Sequence, residues 1–331
     1  MARIRSRLRL EPLTVFGMPT AGPVGAGLIP ITGQQWFVDP NADVAPWKKA
    51  FGTGKAEDRP FETLEEGLDA CNTGDTIFIT GNIREEGLIC SNLKFDVKVV
   101  GVGSQHHPDQ PTSAYHPGSA CIRPPASPTA TTPLISVRGR GWQFHNIMFD
   151  CPVDEAGLKF VRNSSSTTAE YDAGHGLVFN CDFRSGLNGV WSFDGIFNMT
   201  IRECVFESLT GSAILDSINT GVAAPRRWRI LDNFFQPKSS TVGNANHISA
   251  ALNGSLIKGN VFGTVESTGK YINLAPSGTG AGNVICYNVF AGAYDTSDYL
   301  FGTGDVVYQN ACAVEATEAP DGVTILPPAG P

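Results

Sequence analysis

Ile257-Lys-Gly-Asn260-Val-Phe262 is the stretch whose reading decides the fold, because six other segments repeat its pattern. Downstream stand Ile285-Cys-Tyr-Asn288-Val-Phe290 and the weaker Val307-Tyr-Gln-Asn310-Ala-Cys312. Upstream stand Ile230-Leu-Asp-Asn233-Phe-Phe235, Ile201-Arg-Glu-Cys204-Val-Phe206, Val178-Phe-Asn-Cys181-Asp-Phe183 and Phe144-His-Asn-Ile147-Met-Phe149. The steps between starts are 34, 23, 29, 27, 28 and 22 residues, a structural repeat with loops of varying length.

Positions one and six of the repeat are bulky and apolar, and position four is Asn, Cys or Ile. Strand alternation puts positions four and six on one face, and a bend before position one brings it to the same side. A helix needs apolar residues at i, i+3, i+4 and i+7, and no copy is long enough. Coils that place each copy above the last give parallel strands about 4.8 Å apart, with Phe stacked on Phe and Asn on Asn. Companion strands follow each copy, among them Gly189-Val-Trp-Ser-Phe-Asp194 and Gly211-Ser-Ala-Ile-Leu-Asp216, which align at a step of 22. The expectation is an all-β, right-handed parallel β-helix with two strands and one less regular side per rung.

The chain has 331 residues, 37 of them Gly and 22 Pro, with only 17% charged, which suits a turn-rich solenoid. A net charge of −8 argues against a general nucleic-acid binder. Eight scattered cysteines show no zinc-like spacing, and Cys181 and Cys204, at one ladder position, read as buried free thiols. No metal or cofactor site is legible; His106-His107 has no partner at ligand spacing. The basic opening is followed by no apolar run, so it reads as neither a signal peptide nor a membrane span.

Four regions are expected. Residues 1–35 form an extended arm, in which Arg3, Arg5, Arg7 and Arg9 alternate with Ile4, Ser6, Leu8 and Leu10. Two readings of it stand: a leader without structure of its own, or an arm that adds a strand to a partner and sets four guanidinium groups on an acidic surface. Residues 36–72 hold a first strand and a capping helix opened by Asp58-Arg-Pro-Phe61, with Phe61, Leu64, Leu68 and Cys71 on one stripe. The solenoid proper spans 73–314 and carries a long structureless insertion at 103–133; residues 315–331 are a tail over the last rung.

Trp36-Phe-Val-Asp-Pro40, followed by the run from Asp58 to Ile79 (DRPFETLEEGLDACNTGDTIFI), resembles the opening of pectate-lyase-like β-helix proteins. The stretch 126–150 (ASPTATTPLISVRGRGWQFHNIMFD) is similar to β-helix proteins that tailed bacteriophages encode among their virion structural genes. The resemblance covers roughly 34–315 and implies a virion structural protein made in a host cytoplasm. Its expected role is capsid decoration, as a homo-oligomer such as a trimer at a capsid threefold. The alternatives it leaves open are a polysaccharide-degrading tailspike and a host-glycan-binding module without chemistry.

For the tailspike alternative, two carboxyl groups must flank a glycosidic bond. Asp194 and Asp216, ending aligned strands, are the best candidates, with Glu203 and Glu207 nearby and Lys159 or Arg202 available to a lyase. Both are also ordinary turn residues, and the turn reading outweighs the catalytic one. Trp191 and Tyr271 are the candidate sugar-stacking rings; Trp142 and Trp228 are expected at the edge of the repeat.

Overall fold

Each hexapeptide is a corner rather than a strand. In the computed structural model, Leu256–Lys258 and Val261–Phe262 are separate strands, and Gly259 between them takes the left-handed conformation (φ 70°). Position three is left-handed in every copy: Asn146, Asn180, Glu203, Asp232, Tyr287 and Gln309 have φ of 49–56°. That single residue turns the chain, so positions one, four and six all face inward and are buried. The bend therefore lies inside the motif, after position two, and not before position one.

The structure describes residues 14–15, 18–19, 33–40, 54–55, 60–102, 120–129, 131–151, 156–163, 171–217, 224–236, 246–265, 269–274, 281–291, 299–302, 304–312 and 324–325. Three parallel sheets wind through them, so a rung has three strands instead of two. The first sheet runs from Gln35–Val38 and Thr76–Ile79 to Val306–Tyr308. The second runs from Asn82–Arg84 to Ala311–Cys312, where Thr324–Ile325 adds antiparallel and covers the final edge. The third runs from Leu88–Cys90 to Tyr299–Leu300. Each rung visits first, second and third sheet in turn, which is a right-handed parallel β-helix.

Ladders of like side chains fill the bore. Phe149, Phe183, Phe206, Phe235, Phe262 and Phe290 stack with centroids 4.6–5.1 Å apart and planes within 10°. Offset aromatic stacking of this kind adds to the area that each ring buries. At position four, Asn233 donates from its backbone N–H (3.0 Å) and Nδ2 (2.9 Å) to Asn260 Oδ1. Asn260 does the same to Asn288, and Asn288 to Asn310. The other Nδ2 hydrogen of Asn233 and Asn260 goes to the carbonyls of Ile201 and Ile230. Buried amides are thus satisfied at each step. All eight cysteines are free and buried, Cys181 and Cys204 continuing the asparagine column.

A second polar ladder was not expected. Trp228 N–H donates to Ser255 Oγ, Ser255 N–H to Asn283 Oδ1, and Asn283 N–H to Asp305 Oδ1 (2.8–3.0 Å). These residues stand two places before the hexapeptide and fix the corner between the third and first sheets.

The N-terminal end is closed by helix α1 (Leu64–Ala70), which buries Leu64 and Leu68. It starts at a Thr63–Glu66 capping box, three residues later than Phe61. Phe61 instead bridges Val38 and stacks on Trp36 (5.9 Å). Glu85 accepts from the N–H groups of Leu64 and Glu65, and Lys94 Nζ donates to the carbonyls of Leu68 and Asp69. Side chains from the first rung thus tie down both helix ends.

The stretch 103–133 is not a structureless insertion throughout. Cys121–Arg123 is a strand of the second sheet, pairing Asn82–Arg84 on one side and Met148–Phe149 on the other. Residues 103–119, with His106, His107 and His116, lie outside the described residues, as do Arg3, Arg5, Arg7 and Arg9. Among the described residues no helix is long and apolar enough to cross a membrane.

Candidate functional site

The third sheet carries most of the residues that the sequence offered. Its register pairs Val190 with Ile214 and Ser192 with Asp216. Asp194 and Asp216 are therefore two positions out of step, and the column expected from a step of 22 does not form. Asp216 shares its row with Phe160 and Ser192, which point into the bore. Ser192 Oγ donates to Asp216 Oδ1 at 2.6 Å. Burial pushes the Asp216 carboxyl up to about 7 against the Ser192 hydrogen bond, and the Asp194 charge adds to the rise. Asp194 is left-handed (φ 65°) and its N–H donates to the Ser217 carbonyl. Each aspartate is only 5% exposed. Neither carboxyl group is open to solvent.

On the outer face of the same sheet, Ser136, Lys159, Trp191 and Leu215 follow one another rung by rung. Lys159 Nζ sits 3.7 Å from the Trp191 ring centroid, and Trp191 Nε1 donates to Ser217 Oγ. Trp191 is half-buried, so one of the two proposed stacking rings is at the surface. The other is not: Tyr271 is buried among Phe290 and Tyr299. Trp142 and Trp228 are interior too, donating from Nε1 to the Lys94 and Ile196 carbonyls. Glu207 is buried beside Arg184, and Glu203 pairs with Arg202 on the corner between the first and second sheets.

The open site is elsewhere, at the corner between the third and first sheets. Two hollows of about 280 and 430 Å³ adjoin there, sharing Asn198 and Arg227 as lining. Local structure explains the display of charge. Trp228 is anchored inside, so its neighbours Arg227 and Arg229 point out, and Arg226 follows Phe197 in a column continued by Asn253. Arg162 lies with its guanidinium 4.4 Å from the Phe197 ring. Arg140 pairs with Asp172. Burial works to raise the Asp172 carboxyl, but hydrogen bonds from Arg140 and the Gly174 N–H, with the charges of Arg140 and Arg162, outweigh it and hold it low. Asn198 Nδ2 and His175 Nε2 are 3.3 Å apart.

Sequence reasoning passed over this corner. The signal was Arg226-Arg227-Trp228-Arg229, three arginines in four residues of a chain whose net charge is −8. Among the described residues no three metal-binding side chains converge.

No protein-family model matches the chain, and no curated protein matches it by sequence. Solved structures do match in fold. A pectate lyase, Pel9A, superposes with a TM-score of 0.53 at 12% identity, over 87% of this chain and 78% of that one. A GH136 lacto-N-biosidase from Eubacterium ramulus gives 0.52 at 10% identity, over 85% of this chain. The present chain spans 56% of that protein's length. At such identities the likeness is one of fold: this pectate-lyase-like right-handed β-helix is an architecture shared with carbohydrate-active lyases and hydrolases.

Proposed function

We propose that this chain is a carbohydrate-engaging β-helix that binds a surface polysaccharide along its exterior and does not cleave it at Asp194 and Asp216. The observation that carries this reading is the contrast between those two buried carboxyl groups and the open arginine corner, where side chains from successive rungs line two adjoining hollows. A solenoid repeats its surface every rung, as a polymer repeats its units, so the two can stay in step. The test is incubation with extracted capsular or cell-wall polysaccharide. Retardation of the protein without release of oligosaccharide is expected, and the Asp194→Asn/Asp216→Asn double variant is expected to behave the same. Release of oligosaccharide that the double variant abolishes would hand the case to a hydrolase or lyase.

A second reading follows from the similarity of 126–150 to phage virion β-helix proteins. In it the body is displayed on a tailed-phage particle as an oligomeric decoration, attached to capsid or other virion proteins by the arm of residues 1–35. Thr14–Val15 pairs antiparallel with Met18–Pro19, so the arm is not extended throughout; the thirteen residues before that hairpin reach about 45 Å when extended, enough to contact a neighbouring subunit. Strand addition supplies backbone hydrogen bonds, and Arg3, Arg5, Arg7 and Arg9 supply charge-assisted ones to carboxylates. Deleting residues 1–30 is expected to leave a folded β-helix that no longer co-sediments with particles lacking their own copy. Undiminished binding would move attachment onto the solenoid.

A further inference from the structure

We infer that the corner between the third and first sheets is a binding site for an acidic polysaccharide lying along the solenoid axis, with one of its anionic groups held where Arg226, Arg227 and Arg229 of a single rung come together. This rests on the carbohydrate reading above and specifies its ligand.

Charge is the first support. The three arginines are exposed, and among the described residues none has a carboxylate within ion-pair distance. Asp172, the acid of the hollow, is already neutralised by Arg140. Like-charged guanidinium groups set side by side repel one another, and an anion seated among them relieves that repulsion. Guanidinium forks match carboxylates in a bidentate way that ammonium groups do not.

Backbone strain is the second, independent support. The residue two places before each first-sheet strand is left-handed in every rung. It is Gly33, Gly74, Gly141, Gly254, Gly282 and Gly304 in six of them, as that conformation favours, and Asp96 in one. At the hollow the column departs from glycine in three consecutive rungs: His175 (φ 61°), Asn198 (φ 55°) and Arg227 (φ 58°). Glycine is the usual occupant of this column, so side chains kept in three consecutive rungs set those rungs apart from the rest of it. The three that occupy the strained positions all line the hollow.

Spacing is the third. Those side chains recur at the rung repeat of about 4.8 Å, near the length of one sugar in an extended chain. The His175–Asn198 pair offers polar partners for hydroxyl groups. A nucleic acid fits less well, because single strands need open aromatic platforms for their bases. Phe197 is half-buried with the Arg162 guanidinium on its ring, and Trp228 is buried.

The test uses the full chain with hyaluronan as an acidic probe, dextran as a neutral one and single-stranded DNA as a third, followed by affinity electrophoresis. Hyaluronan is expected to retard the protein, with retardation falling as salt is raised, and dextran is not. Arg227→Gly is expected to lose about tenfold in hyaluronan affinity, the scale of one charge-assisted hydrogen bond. Its melting temperature should stay level or rise, because glycine relieves the left-handed backbone. A merely structural arginine would not give that pair of results. Should Arg227→Gly melt lower, Arg226→Ser/Arg229→Ser at exposed positions must show the affinity loss. Full affinity in both variants, equal binding of dextran, or tighter binding of DNA overturns the inference. Binding to extracted host polysaccharide that both variants retain sinks this ligand site alone, whereas no binding to any polysaccharide sinks the carbohydrate reading itself.

Discussion

Phe262→Ala is expected to lower the unfolding free energy by about 3–5 kcal/mol, the cost of emptying a fully buried phenylalanine site. The ring lies 4.6 Å from Phe235 and 5.0 Å from Phe290, with Tyr271 and His247 against its edge. Partial collapse usually softens such a loss, but here the rungs are held apart by parallel backbone pairing of Val261–Phe262 with both neighbours. The cavity stays, which puts the effect at the upper end. Phe234→Ala is the matched control: it is exposed on the outer face of the same sheet and should cost under about 1 kcal/mol. Urea unfolding followed by circular dichroism measures both. Equal losses at the two positions would remove the ladder from the account of stability.

Asp216→Asn is expected to flatten the dependence of stability on pH. The folded carboxyl titrates near 7 and the unfolded one near 3.8. Between those values the folded chain holds a proton that the unfolded chain has released, so stability falls as pH rises. Below about pH 4 the group makes no difference, and above about pH 7 the loss is complete. A gap of about three pH units corresponds to roughly 4 kcal/mol, an order-of-magnitude figure. Asparagine keeps an oxygen for Ser192 and cannot ionise. The wild-type urea midpoint should therefore drop from pH 5 to pH 8 by more than that of the variant, and the variant should be the more stable at pH 8. Parallel behaviour at both values would show that Asp216 does not titrate in this range.

The hexapeptide made the phenylalanine and asparagine columns legible because its spacing is constant in all copies. Only its middle residue hid the corner, since Asn146, Glu203, Gly259 and Tyr287 share a backbone angle and no chemistry. The third sheet was harder. The connection from the second sheet varies in length and ends on no marker residue, so Gly189 was matched with Gly211 when it lies level with Ala213. That slip of two residues preserved which face each side chain takes and still misplaced Asp194. The arginine corner left no trace in a reading of periodicity, because Arg226, Arg227 and Arg229 belong to one rung and its other members, among them His175 and Asn198, come from others. Cys121–Arg123 was lost among prolines, three residues being too short to show alternation.

The asparagine ladder has a direction: each amide gives to the rung after it, and no rung depends on its ordinal place. The 28-residue interval from Asn260 to Asn288 is one full turn of the coil. Duplicating that interval in the gene would hand every donor a new acceptor and every phenylalanine a new neighbour. Deleting it would rejoin the same partners one turn closer. Length is thus a variable that mutation can change in whole coils without redesigning the core, and lineages carrying this fold can grow or shorten while their two ends stay as they are.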